Sequence, residues 1–471
     1  MTQGMKWLKR LALGLTLLFV LELVFSYNGI FSIPHGTIIR TVLLCFYCFL
    51  LVLVERIPIF SRKRDAVLGS LRIYDWALIV FLFSTIVSIL LIPRLSGESP
   101  ALAIEEGVSF LTLPVLYFPL SFMLRRQVFS FARLEQFLRW VLFLFALFQI
   151  TLYVGQSVYD GFIPGVFNLL HRIFGARAVF PAIVMGHGGY PRVVSVASVY
   201  LLVGIYLVLR RLPRFTLIDG LCLAVHITAL LATLTKSFWY GVLLGVAVFS
   251  FGYLVKLCQE RQVKQLLQYA GILAGCFALI FALNLTIFDH MVSVRFRNSF
   301  TISSSGDTSS EPTVSEDEDD LAKIDREGAA YSNDIKIEQT KKLLKKWLNR
   351  PVFGYGYGSY VEGYLRSEET PYSYEMQLPA LLMKTGVVGV GLLGFVIFAM
   401  LFAVWRAKKK GGDTVSVCAY LFLLVAFGFT VQTNPLLLSY SGMVVVLFLL
   451  LLTADIEQQA LPCNNIEEVR E

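Results

Sequence analysis

Charge is scarce in this sequence. Of its 471 residues only 16% are Asp, Glu, Lys or Arg, 56% are hydrophobic, and the mean hydropathy is +0.68. So little charge excludes a water-soluble domain of this size. The strict in/out alternation of a membrane β-barrel is also missing. Of the seven cysteines none lies in the long polar segment 288–376, so no disulfide framework is implied there. Cys45-x-x-Cys48 sits inside an apolar run with no second ligand pair. That pattern fits two small buried hydrophobes better than a metal site. No convincing repeat relates the two halves of the chain, which counts against many transporter folds.

What is present is a series of apolar runs, each long enough to cross the ~30 Å hydrocarbon core as a helix. The expected fold is an all-α polytopic membrane protein with about twelve spans, roughly 8–27, 38–55, 74–93, 105–123, 137–157, 193–210, 216–234, 239–256, 267–287, 377–404, 415–433 and 438–454. The basic N-terminus MTQGMKWLKR precedes a long run without a small-residue cleavage site, and reads as a retained first span. The segments ERIPIFSRKR, RRQVFSFAR, RRLPR, KLCQERQVK and WRAKKKGG all fall on the side of the N-terminus. By the positive-inside rule these loops and both termini are expected in the cytoplasm, and the net charge of +8 carries no nucleic-acid signal. The chain divides into an N-terminal bundle of about nine spans (1–287), one large external loop (288–376), three further spans (377–454) and a cytoplasmic tail (455–471).

The large loop is acidic, with 11 Lys+Arg against 16 Asp+Glu between Asp289 and Glu375. Its part 303–320 has no apolar content and is expected to be disordered. DIKIEQTKKLLKKWLNR (334–350) reads as an amphipathic helix ended by Pro351. The tract VFGYGYGSY follows, whose Gly354, Gly356 and Gly358 cannot hold a helix and let backbone N–H groups approach a ligand.

Ionisable groups at the edges of spans are costly to keep there and tend to be functional. Arg192, Lys236, Arg350 and Glu375 stand at such edges. Three cations and a carboxylate facing one cavity would suit an anionic ligand and a general base. The same residues also fit plainer roles. Arg192 and Lys236 suit interfacial anchors, and Glu375 suits a helix N-terminus. Tyr357, Tyr372 and Tyr374 suit either an aromatic belt or a platform for sugar rings.

The order of these motifs carries a resemblance. RPVFGYGYGSY, then a span opening EMQLPALLMKTGVVGVGLLGF, resembles the O-antigen ligase and O-antigen polymerase family of bacterial envelope polysaccharide assembly. The family's Pro-x-x-Gly-x-Gly is matched by Pro351, Gly354 and Gly356, and its Gly-x-x-Gly by Gly386 and Gly389. Glu375 and Met376 stand where the family has a His-Asn pair. TLTKSFWYG resembles its Thr-x-Ser-Arg segment, with Phe238 in place of the Arg and Lys236 as the nearest cation. YPRVVSV, with Arg192, resembles an Arg-containing segment that opens an earlier span.

The resemblance implies a helical membrane glycosyltransferase fold and a polyprenyl-diphosphate-linked oligosaccharide as donor, with no nucleotide sugar, no cofactor and no obligate metal. It implies polymerisation of repeat units at the external face of a bacterial cytoplasmic membrane, with ligation to a lipid or protein acceptor as the nearest alternative. Glu375, Arg192 and Lys236 would be catalytic. Arg350, Gly354, Gly356, Tyr357, Tyr372 and Tyr374 would bind substrate. A chain-length regulator is an expected type of partner. From a different class, a flippase for lipid-linked oligosaccharide also fits the span count.

Overall fold

The computed structural model describes residues 71–125, 130–174, 191–297, 320–364 and 370–460, with a few isolated positions between 7 and 18. Helices α1 (Ile73–Leu90), α2 (Ile92–Ser96), α3 (Pro100–Arg125), α4 (Phe131–Val158) and α5 (Phe162–Phe174) come first. After a 3-10 turn at Val196–Val199 follow α6 (Tyr200–Leu209), α7 (Leu217–Ala232), α8 (Lys236–Gln259), α9 (Val263–Thr286) and α10 (Met291–Arg297). Helix α11 (Asp320–Leu348) belongs to the polar segment, and α12 (Gln377–Lys409), α13 (Thr414–Thr430) and α14 (Tyr440–Gln459) complete the bundle. Among the described residues there is no β-sheet.

Seven of these helices are long and apolar enough to cross a membrane: α1, α4, α8, α9, α12, α13 with its 3-10 extension, and α14. Two shorter apolar helices, Val196–Leu209 and Leu217–Ala232, lie among them. The chain is therefore an all-helical membrane protein with seven qualifying spans among the described residues, rather than a demonstrated twelve. Most of the expected span 8–27, all of 38–55, the Cys45/Cys48 pair and nearly all of the acidic insert 303–320 lie outside the described residues.

Several boundaries move for local reasons. The span expected at 193–210 is helical only from Val196, because the Val193 N–H donates to the Ala232 carbonyl and Ser195 is extended. The helix expected at 334–350 begins at Asp320. Residues 455–459 continue α14 instead of forming tail, and Asp455 is tied to Arg210.

Packing between α8 and α13 relies on small residues. A Cβ at Gly241 would lie 2.6 Å from the Ala426 carbonyl oxygen, at Gly245 2.8 Å from Phe422, and at Gly252 2.6 Å from Cys418 Sγ. Their spacing makes one stripe along α8, the small-residue interface by which membrane helices approach closely. By contrast α9 presents Leu267, Phe277, Phe281 and Leu285 outward, a face suited to lipid.

The two ends of the bundle differ. At the end carrying residues 125, 210 and 409, basic side chains reach back to carboxylates on neighbouring helices. Arg125 bonds Asp75 at 2.7 Å, with Tyr117 donating to the same carboxylate. Arg210 bridges Glu135 on α4 and Asp455 on α14. Arg139 and Arg211 share Asp219, which also closes the capping box of α7 with Thr216. Such pairs tie the helices together, and removing one partner would strand a buried charge. Asp413 caps α13 through the backbone N–H groups of Val415 and Ser416. Burial pushes its carboxyl up, but the hydrogen bonds from Ser416 and Val415 outweigh that and hold it below the usual carboxylate range. The opposite end gathers the polar segment and the candidate residues.

Candidate functional site at the broken helix

The site is organised around a break in α12. Gly386 has φ +64° and ψ −170°, a backbone conformation essentially restricted to glycine. An unbroken helix would carry Val387 N–H to the Met383 carbonyl and Val388 N–H to the Lys384 carbonyl. Both bonds are replaced by the segment that begins at Pro351. Val387 and Val388 donate to the carbonyls of Pro351 and Val352, at 2.9 and 3.2 Å. Tyr355 and Gly356 donate to the carbonyls of Met383 and Lys384, at 2.9 and 2.7 Å. The strap fits only without side chains at the crossing. A Cβ on Gly386 would fall 2.1 Å from the Val352 oxygen, and one on Gly354 2.6 Å from the Lys384 carbonyl. The Pro-x-x-Gly-x-Gly and Gly-x-x-Gly motifs thus form the two halves of one joint.

A buried ion pair lies directly beside it. Lys384, 1% exposed, contacts Glu106 of α3 and donates to the Tyr372 carbonyl at 2.8 Å. The second oxygen of Glu106 accepts from Gly358 N–H at 2.7 Å. One lysine and one glutamate therefore join α3, the Gly/Tyr strap, the 370–376 turn and α12. Glu106 stands at the start of the expected span 105–123, and Lys384 lies inside the expected span 377–404. The signal available in the sequence is a charge within an apolar stretch, as in LLMKTGVV.

Glu375 sits on the 370–376 turn, whose backbone is held on either side of it. Lys384 holds the Tyr372 carbonyl, Gln377 Nε2 donates to the Tyr374 carbonyl at 2.6 Å, and Met376 N–H donates to Gln339 Oε1 at 2.8 Å. The Tyr374 hydroxyl accepts from Val361 N–H at 2.7 Å. Burial, offset in part by that hydrogen bond, pushes the Tyr374 phenol up to about 12. The Glu375 side chain is 27% exposed, with Lys336 of α11 at 3.9 Å.

Arg192 and Lys236 meet at a second turn. Arg192 donates from Nε to the Thr233 carbonyl and from Nη2 to Thr235 Oγ1, both at 3.0 Å. Lys236 is the next residue and opens α8. Leu234 between the threonines is fully buried at φ +44°, a left-handed conformation that β-turn packing must impose on a leucine. Strain of this kind, about 1–3 kcal/mol, clusters at ligand sites. The α13–α14 turn links the two regions. Its Asn434 donates to Ser237 Oγ at 2.5 Å, and its Leu438 N–H donates to Gln377 Oε1 at 3.1 Å.

The candidates therefore separate into two groups. Glu375, Tyr372, Arg192 and Lys236 are half-buried, and Arg350 is exposed with its guanidinium 5.2 Å from the Tyr355 ring centre. Gly354, Gly356, Tyr357 and Tyr374 are buried in the joint. Tyr357 packs against Ile89 and Ala103, and burial pushes its phenol up. In this conformation these four make the joint rather than an open surface. Sequence reasoning missed Glu106, Lys384, Gln339 and Gln377, which connect positions up to 278 residues apart. No protein-family model and no curated protein matches this chain.

Proposed function

We propose that the protein is a membrane glycosyltransferase that joins polyprenyl-diphosphate-linked oligosaccharide units into a longer glycan at the external face of a bacterial cytoplasmic membrane. One observation carries this reading: a half-buried carboxylate, Glu375, stands on a braced turn at the end of the bundle that also holds Arg192 and Lys236. A lipid-linked donor has its tail in the bilayer and its sugars in water, so its chemistry belongs at helix ends.

In the proposed reaction the acceptor's sugar hydroxyl attacks the donor's anomeric carbon. The new glycosidic bond forms as the bond to the diphosphate breaks. Glu375 takes the hydroxyl proton, and the electron pair leaves with the polyprenyl diphosphate. Arg192, Lys236 and Arg350 hold that diphosphate through charge-assisted hydrogen bonds. Tyr372 offers a ring to the sugars.

Arg192→Ala should raise the donor concentration needed for half-maximal rate while the protein still inserts. Two of its acceptors are neutral, a backbone carbonyl and a threonine hydroxyl. Unchanged donor use would return Arg192 to an anchoring role. The direct test of the reading uses cells lacking the gene, by measuring which glycan is attached to the lipid carrier and on which membrane face. Single repeat units on the outer face are expected. Full-length chains there would indicate a ligase. Units confined to the inner face would indicate a flippase, and the glycosyltransferase reading would fall.

A further inference from the structure

We propose that the buried Lys384–Glu106 pair positions Glu375, acting as a brace that fixes the 370–376 turn against α12. This rests on the reading of Glu375 as the group that takes the acceptor proton. Lys384 is 1% and Glu106 7% exposed, and both lie at the joint of the broken helix. A buried pair of this kind is seldom the most stabilising choice, since apolar residues of similar volume do as well or better. Its distinguishing property is connectivity. The ammonium group has three donors, and two are accounted for by Glu106 and the Tyr372 carbonyl. The carboxylate spends its second oxygen on Gly358 N–H. The pair thus measures the separation between α3, the strap and the turn three residues before Glu375.

The surroundings support a positioning role. Other holds on that turn join a side chain to a backbone group: Gln377 to Tyr374, Gln339 to Met376, Val361 to the Tyr374 hydroxyl. Those contacts come from α11, α12 and the strap. The Lys384–Glu106 contact brings in α3, one of the long helices of the bundle. Together with Gln377 of α12, it links the helical bundle to the position of the Glu375 carboxylate.

The test separates position from fold. In the double variant Glu106→Gln, Lys384→Met both charges disappear together, so no charge is stranded and the protein should accumulate. Two readouts are taken. The first is the labelling rate of the thiol introduced by Glu375→Cys, using a maleimide on detergent-solubilised protein and peptide-resolved mass spectrometry, with native Cys258, which is exposed, as the reference site. Adding the double substitution should change the rate at position 375 severalfold and leave Cys258 unchanged. The second is turnover with Glu375 present, where kcat should fall by about 10²-fold with KM for donor little changed, the signature of a misplaced reacting group. Should the double variant fail to accumulate, Lys384→Arg keeps the charge but alters reach, and the same shift in labelling is expected. An unchanged labelling rate in the variant that accumulates would overturn the brace, whatever the protein's activity. A changed rate, together with full product from Glu375→Gln, would keep the brace and remove the general-base role instead.

Discussion

Glu375→Gln should reduce glycan polymerisation by about 10²–10⁴-fold, the usual contribution of a positioned general base, while the protein inserts and accumulates normally. The substitution preserves shape and leaves a carbonyl oxygen in place, but it removes the basicity needed to accept a proton. The turn would persist, because its backbone is held by Lys384, Gln377 and Gln339. The carboxylate's contact with Lys336 is 3.9 Å long between side chains that are each 27% exposed. A solvated pair at that distance contributes no more than about 1 kcal/mol, and equal accumulation of the variant separates lost chemistry from lost fold. The measurement is the length distribution of lipid-linked glycan made by membranes containing equal amounts of wild-type and variant protein. Near-normal chains from the variant would end the assignment of Glu375 as the base. A product that becomes shorter without becoming scarcer would place Glu375 in acceptor binding.

Much of the bundle is legible in the sequence because lipid exposure leaves a simple trace. The runs at 239–256, 267–287 and 415–433 are recovered as helices within a few residues, since uninterrupted apolar character is what a span requires. The joint was visible only in pieces. Gly354, Gly356 and Gly386 read as a flexible tract and an ordinary glycine in a span, and hydropathy is blind to φ. Their complementarity depends on four hydrogen bonds between segments more than 25 residues apart. Lys384 and Glu106 were overlooked for a related reason. Each alone looks like a tolerated charge near a helix end, and their pairing across 278 positions exists only once α3 and α12 are adjacent. The basic loops tell the opposite story. Counting their lysines and arginines gives an orientation, but Arg125 and Arg210 also neutralise Asp75, Glu135 and Asp455, carboxylates that a loop-charge count passes over. Helix α11 begins at Asp320, ahead of the expected 334, in a stretch where Leu321 and Ile324 are the large aliphatic residues before Ile335.

Gly386→Ala should be severely damaging for a single added methyl group. Its φ of +64° with ψ −170° is a glycine conformation, and forcing alanine into it costs about 1–3 kcal/mol. The added carbon would also stand 2.1 Å from the Val352 oxygen and 2.4 Å from its carbonyl carbon, both backbone atoms that no side-chain rotation can move aside. Relief requires lifting the strap, and with it the four hydrogen bonds that replace the broken turn, each worth about 1 kcal/mol net and more where water is excluded. The variant should lose several kcal/mol, read as a sharp fall in monodisperse detergent-solubilised protein and in its thermal midpoint. Gly354→Ala should behave alike, with φ +68° and the Lys384 carbonyl 2.6 Å away. Gly391→Ala supplies the contrast. It lies five residues further along the same helix with nothing within 4 Å of its Cβ, and should be neutral or stabilising by roughly 0.5–1 kcal/mol. If Gly386→Ala matched Gly391→Ala, α12 would be able to run through residue 386 as an ordinary helix, and the strap would be resting on it without bracing it. If the two diverge as expected, the break is what the helix is built for: it frees two carbonyls and two N–H groups at the mouth of a membrane span, and the strap that takes them up carries with it the turn on which Glu375 stands.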